Sequence, residues 1–222
     1  MQKITAILFD LDGTLVDSAR DLHAALNVIL AKEGLPAQAY DGIGYIAGHE
    51  GVAGLLKLGL GITAENPRFS ALREELLTYY REHIADTSIV FDGILAVIEA
   101  CVARGLVWGI ITNKHTVLTE ALLARLPFHP APAVVVSGDT VAFAKPHPAP
   151  MLHAAAQLGL APEACLYIGD AERDVVAGKA AGMQTAAAAW GYLSPEERCA
   201  DWLADYDFAT PQDLEAWILR HF

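Results

Sequence analysis

The chain has 222 residues, 54% hydrophobic and 19% charged, with a formal net charge of −12. That composition can bury a core, which excludes a disordered chain. The acidic balance argues against a nucleic-acid partner, whose binding rests on neutralising phosphates. Cys101, Cys165 and Cys199 are odd in number and lack metal-ligand spacing, so they read as reduced thiols of a cytoplasmic protein.

The first apolar run, Ile4 to Phe9, is too short for a secretory signal, and no later stretch is long and charge-free enough to cross a membrane. It reads as a buried strand that stops at the acidic turn Asp10-Leu11-Asp12-Gly13-Thr14. Asp17-Ser18 can cap a helix running to about residue 33, where Gly34 and Pro36 end it. From there to about residue 86 the pattern is helical, with seven glycines loosening its first half. Beyond Phe91-Asp92-Gly93 the pattern alternates. Helices are predicted over 94–104, from 114 to about 126, from 148 to 158 and up to Gly182. Strands are predicted over 106–111, 134–136, 166–168 and 185–189, and a closing helix from Pro211. The acidic stretch 201–207 reads as solvated surface.

Strands alternating with helices predict an α/β fold, a Rossmann-like doubly wound parallel sheet. The helical block interrupts that alternation. The expected division is a core of residues 1–16 and 87–222 with an all-helical insertion over 17–86.

Ligands of such a sheet bind outside the carboxyl ends of its strands. Those ends carry Asp10 and Asp12, Thr112 and Asn113, and Asp170 with Asp174 four residues on; a loop after the third strand carries Lys145. Several carboxylates converging on one point repel one another unless a cation is present. All-oxygen ligands suit Mg²⁺, which also takes substrate phosphate. Gly13 lets the backbone fold closely around a phosphate. Taken singly, Asp-Gly is a common turn, Asn113 and Asp170 can cap helices, and Lys145-Pro146 is a loop. Their order, each near a predicted strand exit, favours one site.

The run Asp10-Leu11-Asp12-Gly13-Thr14-Leu15-Val16-Asp17-Ser18 resembles the first motif of the haloacid dehalogenase superfamily phosphatases. Ile111-Thr112-Asn113 resembles the second motif, Lys145-Pro146 the third, and Gly169-Asp170-Ala171-Glu172-Arg173-Asp174 the fourth. The likeness spans nearly the whole chain, and the helical block stands where the family carries a cap domain. It implies that Asp10 is the nucleophile and forms an aspartyl-phosphate, while Asp12 protonates the leaving oxygen and then activates water. It further implies that Thr112 and Lys145 hold the phosphoryl group, aided by Gly13 and Asn113. Asp10, the backbone carbonyl of Asp12, and Asp170 would bind Mg²⁺, and Asp174 would orient the metal's water shell or Lys145. In the cap, the turn Gly48-His49-Glu50 would reach the substrate and select it, the alternative being a plain connecting turn.

The resemblance favours a phosphomonoesterase acting on a small phosphorylated metabolite, as a monomer or homodimer with no nucleic-acid or membrane partner. Ser137-Gly138-Asp139-Thr140 and Lys145 to Pro150 fit the phosphoglycolate phosphatase branch. The fourth motif is more similar to N-acetylmuramate 6-phosphate phosphatases. The competing readings are a phosphosugar mutase of the same superfamily and a non-catalytic small-molecule binding protein.

Overall fold

A computed structural model describes residues 3–222. The chain divides into two compact units, one built from the residues up to Val16 together with Val90–Phe222, the other from Asp17–Ile89. The first strand, β1 (Ala6–Phe9), is buried at every position. The first crossing between units falls in β2 (Val16–Asp17) and the second in β3 (Ile89–Val90), and these two short strands pair with each other.

The inserted unit holds four helices: α1 (Ala19–Lys32), α2 (Ile43–His49), α3 (Gly51–Leu60) and α4 (Phe69–Glu82). In α1, Ala25, Leu26, Ile29 and Leu30 recur at helical spacing and are buried, and α1 packs against the other three helices. The helix carries Asp21 in its first turn and Lys32 in its last, each complementing the helix dipole. Asp21 is buried, and its carboxylate accepts from the N–H groups of Ala85 and Thr87 and from the hydroxyls of Thr87 and Ser88, at 2.5–2.7 Å. These bonds keep Thr87 and Ser88 with the helical unit, which runs to Ile89, while the expected boundary lies at residue 86.

The other unit follows the doubly wound pattern. After β3 come α5 (Ile94–Ala103), β4 (Val107–Ile111), α6 (Thr116–Leu123), β5 (Val135–Val136), α7 (Ala149–Leu158), β6 (Cys165–Gly169), α8 (Glu172–Ala180) and β7 (Gln184–Ala188). The chain then makes β8 (Tyr206–Phe208) and α9 (Pro211–His221). The six-stranded sheet has the order β5-β4-β1-β6-β7-β8, every pair parallel. Both β1 and β6 are apolar and fully buried, as central strands covered on both faces must be. One face buries Ala6, Leu8, Ile111 and Tyr167 against Met151, Ala154 and Ala155 of α7 and Ala177 of α8. The free thiol of Cys165 belongs to the same cluster.

The order places the topological switch at β1, where the chain builds outward through β4 and β5 and then returns to β6 on the other side. Phe9 pairs with Ile168, so Asp10 and the Gly169-Asp170 pair emerge side by side at that switch point, where open parallel sheets bind ligands. In the carboxyl-terminal stretch Asp201, Asp205 and Asp207 are exposed, as expected, but the run also carries an edge strand. Tyr206–Phe208 forms the sixth strand, Trp202 and Phe208 are buried, and the Asp205 carboxylate accepts from Thr185 N–H at 2.8 Å. Two apolar anchors inside an acidic run are too few to show as periodicity, yet they suffice to dock an edge strand.

Candidate active site

Asp10 is tied to the sheet by its own N–H, which donates to Ile168 O at 2.8 Å. Its Oδ1 accepts from Leu11 N–H at 2.7 Å and lies 2.9 Å from Lys145 Nζ. The turn that follows depends on Gly13, whose φ is +83°. A Cβ there would stand 2.1 Å from Asp170 Oδ2 and 2.7 Å from the Tyr192 ring, so only glycine fits. The Gly13 N–H donates to Val16 O at 2.9 Å, closing the turn on itself. Gly13 therefore allows the close approach of Asp170.

Lys145 lies at the centre of the cluster, its side chain 1% exposed. Its Nζ is 2.7 Å from Asp174 Oδ1 and 2.9 Å from Asp10 Oδ1, and it donates to Tyr167 Oη at 2.9 Å and Ile111 O at 3.1 Å. Burial works against the ammonium, but Asp10 and Asp174 outweigh it and hold Lys145 above its ordinary pKa. Tyr167 stays a phenol, its pKa pushed well up by burial and then by Asp174 and Asp10. Its hydroxyl can therefore accept from Lys145 while donating to Ile111 O at 2.7 Å. Asn113 grips the Lys145 backbone from both sides: its Nδ2 donates to Lys145 O and its Oδ1 accepts from Lys145 N–H, each at 3.0 Å. With its amide so engaged, Asn113 acts on the site through Lys145.

Asp170 accepts from Thr14 Oγ1 at 2.8 Å and from Tyr192 N–H at 2.9 Å. Gly191 permits the second bond, since a Cβ there would meet the Asp170 Cβ at 2.2 Å. Trp190 Nε1 donates to Thr14 O at 2.9 Å and locks the same corner. Asp174, on the first turn of α8, also accepts from Ala171 N–H at 3.1 Å.

Ligand oxygens of Asp10, Asp170 and Asp174 lie within 4.8 Å of one another, all three buried. Burial first, then repulsion from Asp10 and Asp174, pushes Asp170 up to about 7. Burial likewise pushes Asp10 up to about 6, against the pull of Lys145. Arg173 adds a second cation; burial opposes its charge, but Asp174, Asp10 and Asp170 hold it above its ordinary value. Its Nε is buried without a hydrogen-bond partner among the described residues.

Asp10, Lys145, Asp170 and Asp174 thus stand together. Thr112, on the exit of β4, is buried, with its N–H donating to Val136 O at 2.8 Å and its Oγ1 accepting from Lys114 N–H at 3.1 Å. Asp12 is not a member of that carboxylate cluster and meets Lys114, its Oδ1 3.0 Å from Nζ. Gly48, His49 and Glu50 lie in the inserted unit at the α2–α3 junction, with His49 Nδ1 3.1 Å from Tyr45 O. Sequence reasoning missed Thr14, Lys114 and Tyr167. Thr14 was inside the quoted motif and Lys114 directly follows Thr112-Asn113, so both carried a positional signal. Tyr167 sits inside an apolar strand, where it reads as core.

The family model described as haloacid dehalogenase-like hydrolase matches residues 7–188, from within β1 to the end of β7. The chain belongs to that family. An N-acetylmuramic acid 6-phosphate phosphatase of Pseudomonas aeruginosa is 37% identical over 212 residues, covering 96% of this chain and 93% of the relative. A phosphoglycolate phosphatase of Xanthomonas campestris pv. campestris is 38% identical over 209 residues, covering 94% of each. Among solved structures, a predicted phosphoglycolate phosphatase of Haemophilus somnus 129PT superposes with a TM-score of 0.84 at 25% identity, covering 98% of this chain and 99% of that one. This haloacid dehalogenase-like hydrolase is a phosphatase. Among the described residues, no helix is long and apolar enough to cross a membrane.

Proposed function

We propose that the chain is a Mg²⁺-dependent phosphomonoesterase that transfers a phosphoryl group to Asp10 and then to water. The observation that carries this reading is the set of three buried carboxylates crowded at the switch point, two of which share one buried lysine. Asp10 and Asp170 both sit well above the ordinary carboxylate range, so the donor set is short of positive charge and fits a hard cation with oxygen ligands. Asp10, Asp170 and the Asp12 carbonyl would hold Mg²⁺. When bound, it would neutralise charge on the carboxylates and on the phosphoryl oxygens.

The chain's own residues do the rest. Leu11 N–H and Lys145 both meet Asp10 Oδ1, which orients the carboxylate and directs Oδ2 to phosphorus. As the Oδ2–P bond forms, the bond from phosphorus to the leaving oxygen breaks, and Asp12 gives that oxygen its proton. Asp12, now a carboxylate, takes a proton from water, whose oxygen attacks phosphorus and frees Asp10. The Thr112 hydroxyl and the Lys145 ammonium hold the equatorial oxygens through both steps.

The names of the relatives point to the substrate class. Phosphoglycolate and N-acetylmuramic acid 6-phosphate share a phosphate monoester and a carboxylic acid. This enzyme's substrate is a small phosphorylated acid of that kind, with Gly48-His49-Glu50 contributing to its selection, and its free cysteines suit the cytoplasm. Phosphate release from a panel containing both compounds, with Mg²⁺, with chelator and with Asp10→Asn, tests the reading. Release should need both Mg²⁺ and Asp10; release that survives chelator or Asp10→Asn would overturn it. Isomerisation of a phosphorylated sugar without phosphate release would put a mutase in its place.

A further inference from the structure

Lys114 has no part in the reaction so far, and its surroundings assign it one. Its side chain is 7% exposed and its Nζ lies 3.0 Å from Asp12 Oδ1. An ammonium withdrawn from water to that degree is destabilising unless a carboxylate meets it. The backbone beneath it is anchored: Lys114 N–H donates to Thr112 Oγ1 (3.1 Å), and its carbonyl accepts from Gly138 N–H (2.8 Å) and Thr119 Oγ1 (3.2 Å). The stem therefore starts from a defined point at the exit of β4. It reaches the first-loop carboxylate that stands outside the Asp10, Asp170 and Asp174 cluster.

We propose that Lys114 is a positioning residue for Asp12, holding Oδ1 so that Oδ2 faces the leaving-group oxygen. The inference rests on the phosphatase reading above and deepens it. Proton delivery needs its donor within hydrogen-bond reach of the oxygen that departs. Asp12 is a short side chain on a turn, 24% exposed, and a partner fixed to β4 selects one orientation for it. Lys114 thereby acts on the bond that breaks through Asp12, while Lys145 acts on the oxygens that remain with phosphorus.

Two leaving groups separate this role from a structural one. p-Nitrophenolate departs as a stable anion and needs no proton, whereas the alkoxide of phosphoglycolate or N-acetylmuramic acid 6-phosphate does. The readout is the ratio of kcat/KM on the alkyl phosphate to kcat/KM on p-nitrophenyl phosphate. This ratio covers substrate binding through departure of the leaving group and excludes the later attack of water, and the fraction of folded enzyme cancels from it. Lys114→Met should lower the ratio by about 10–100-fold, as Asp12→Asn should, with Lys114→Arg recovering part of it. Should Lys114→Met fail to fold, Lys114→Arg carries the same test, because its longer, displaced charge also lowers the ratio. A ratio unchanged in the folded variant, with both substrates slowed alike, would overturn the positioning role even if Asp12→Asn shows the asymmetry. No release from either substrate by the wild-type enzyme would instead overturn the phosphatase reading, and this inference with it.

Discussion

Asp21 in the helical unit and Asp170 in the sheet unit are each 2% exposed, and their surroundings differ in kind. Asp21 accepts four bonds from neutral donors, two backbone amides and two hydroxyls. Asp170 has two such bonds and shares its surroundings with Asp10 and Asp174. A buried carboxylate surrounded by donors is a structural clamp. One crowded by other carboxylates is stable only if something positive joins it. The difference teaches that burial of charge does not mark a site, whereas uncompensated crowding does. Changes on the crowded side should move activity, and changes on the clamped side should move stability.

The largest effect is expected at Lys145, which meets Asp10 and Asp174 directly. Lys145→Met leaves both carboxylates without their nearest cation, which should cost about 3–5 kcal/mol of stability in urea unfolding. Turnover should fall by about 10²–10³-fold because a phosphoryl-holding charge is gone. A variant as stable as wild type at neutral pH in chelator would show that the cluster is not bound by charge.

Replacing each acid by its amide should then give opposite signs. Asp21→Asn turns one acceptor oxygen into a donor facing donors, and should lose about 2 kcal/mol with turnover per folded molecule intact. Asp170→Asn relieves repulsion and should raise the unfolding midpoint of the metal-free protein near neutral pH, while phosphate release falls and Mg²⁺ no longer stabilises. If both amides destabilise alike, the contrast between clamp and crowd is wrong.

The sheet was legible in the sequence where strands are buried on both faces, because β1, β4 and β6 are short apolar runs bounded by polar turns. It was illegible at β8, where Tyr206 and Phe208 dock beside an acidic run; outside that sheet, the short strands β2 and β3 were not legible either, since neither stands in an apolar run bounded by turns. The candidate site divides in the same way. Asp10 and Asp170 could be picked out because a parallel sheet delivers polar residues to its carboxyl ends. The pairing of Lys114 with Asp12, and of Tyr167 with Lys145, depends on which strand ends abut and how deep each side chain sits. Spacing along the chain carries neither fact. The grip of the Asn113 amide on the Lys145 backbone is equally silent in the sequence, because an amide at a strand exit looks alike whether it faces a ligand or a neighbouring loop.

A smaller effect follows from protonation. Asp10 and Asp170 are raised to about 6 and about 7, so the folded protein keeps protons that the unfolded chain releases above 3.8. The stability these groups lend is complete below that value and is lost as pH rises through about 6 and 7. The unfolding midpoint of metal-free protein should therefore fall from about pH 5 to about pH 8 relative to an Asp10→Asn/Asp170→Asn variant. Mg²⁺ should recover more at the higher pH, where its ligands are ionised. Equal stabilisation by Mg²⁺ at both values would place the metal elsewhere than on these carboxylates.

The smallest change tests how the clamped and crowded regimes meet. Tyr167 has a body in the apolar core and a hydroxyl on Lys145, so Tyr167→Phe keeps the packing and removes one neutral partner from a charged group. Lys145 retains Ile111 O, Asp10 and Asp174, and the stability loss should be about 1 kcal/mol, with Ile111 O left one donor short. The ammonium would then be free to shift toward the carboxylates, slowing phosphoryl transfer by about 3–10-fold, the equivalent of a weak hydrogen bond. A drop in stability with kcat/KM untouched would make Tyr167 a clamp like the one around Asp21. A drop in kcat/KM at unchanged stability would place its hydroxyl wholly with the chemistry.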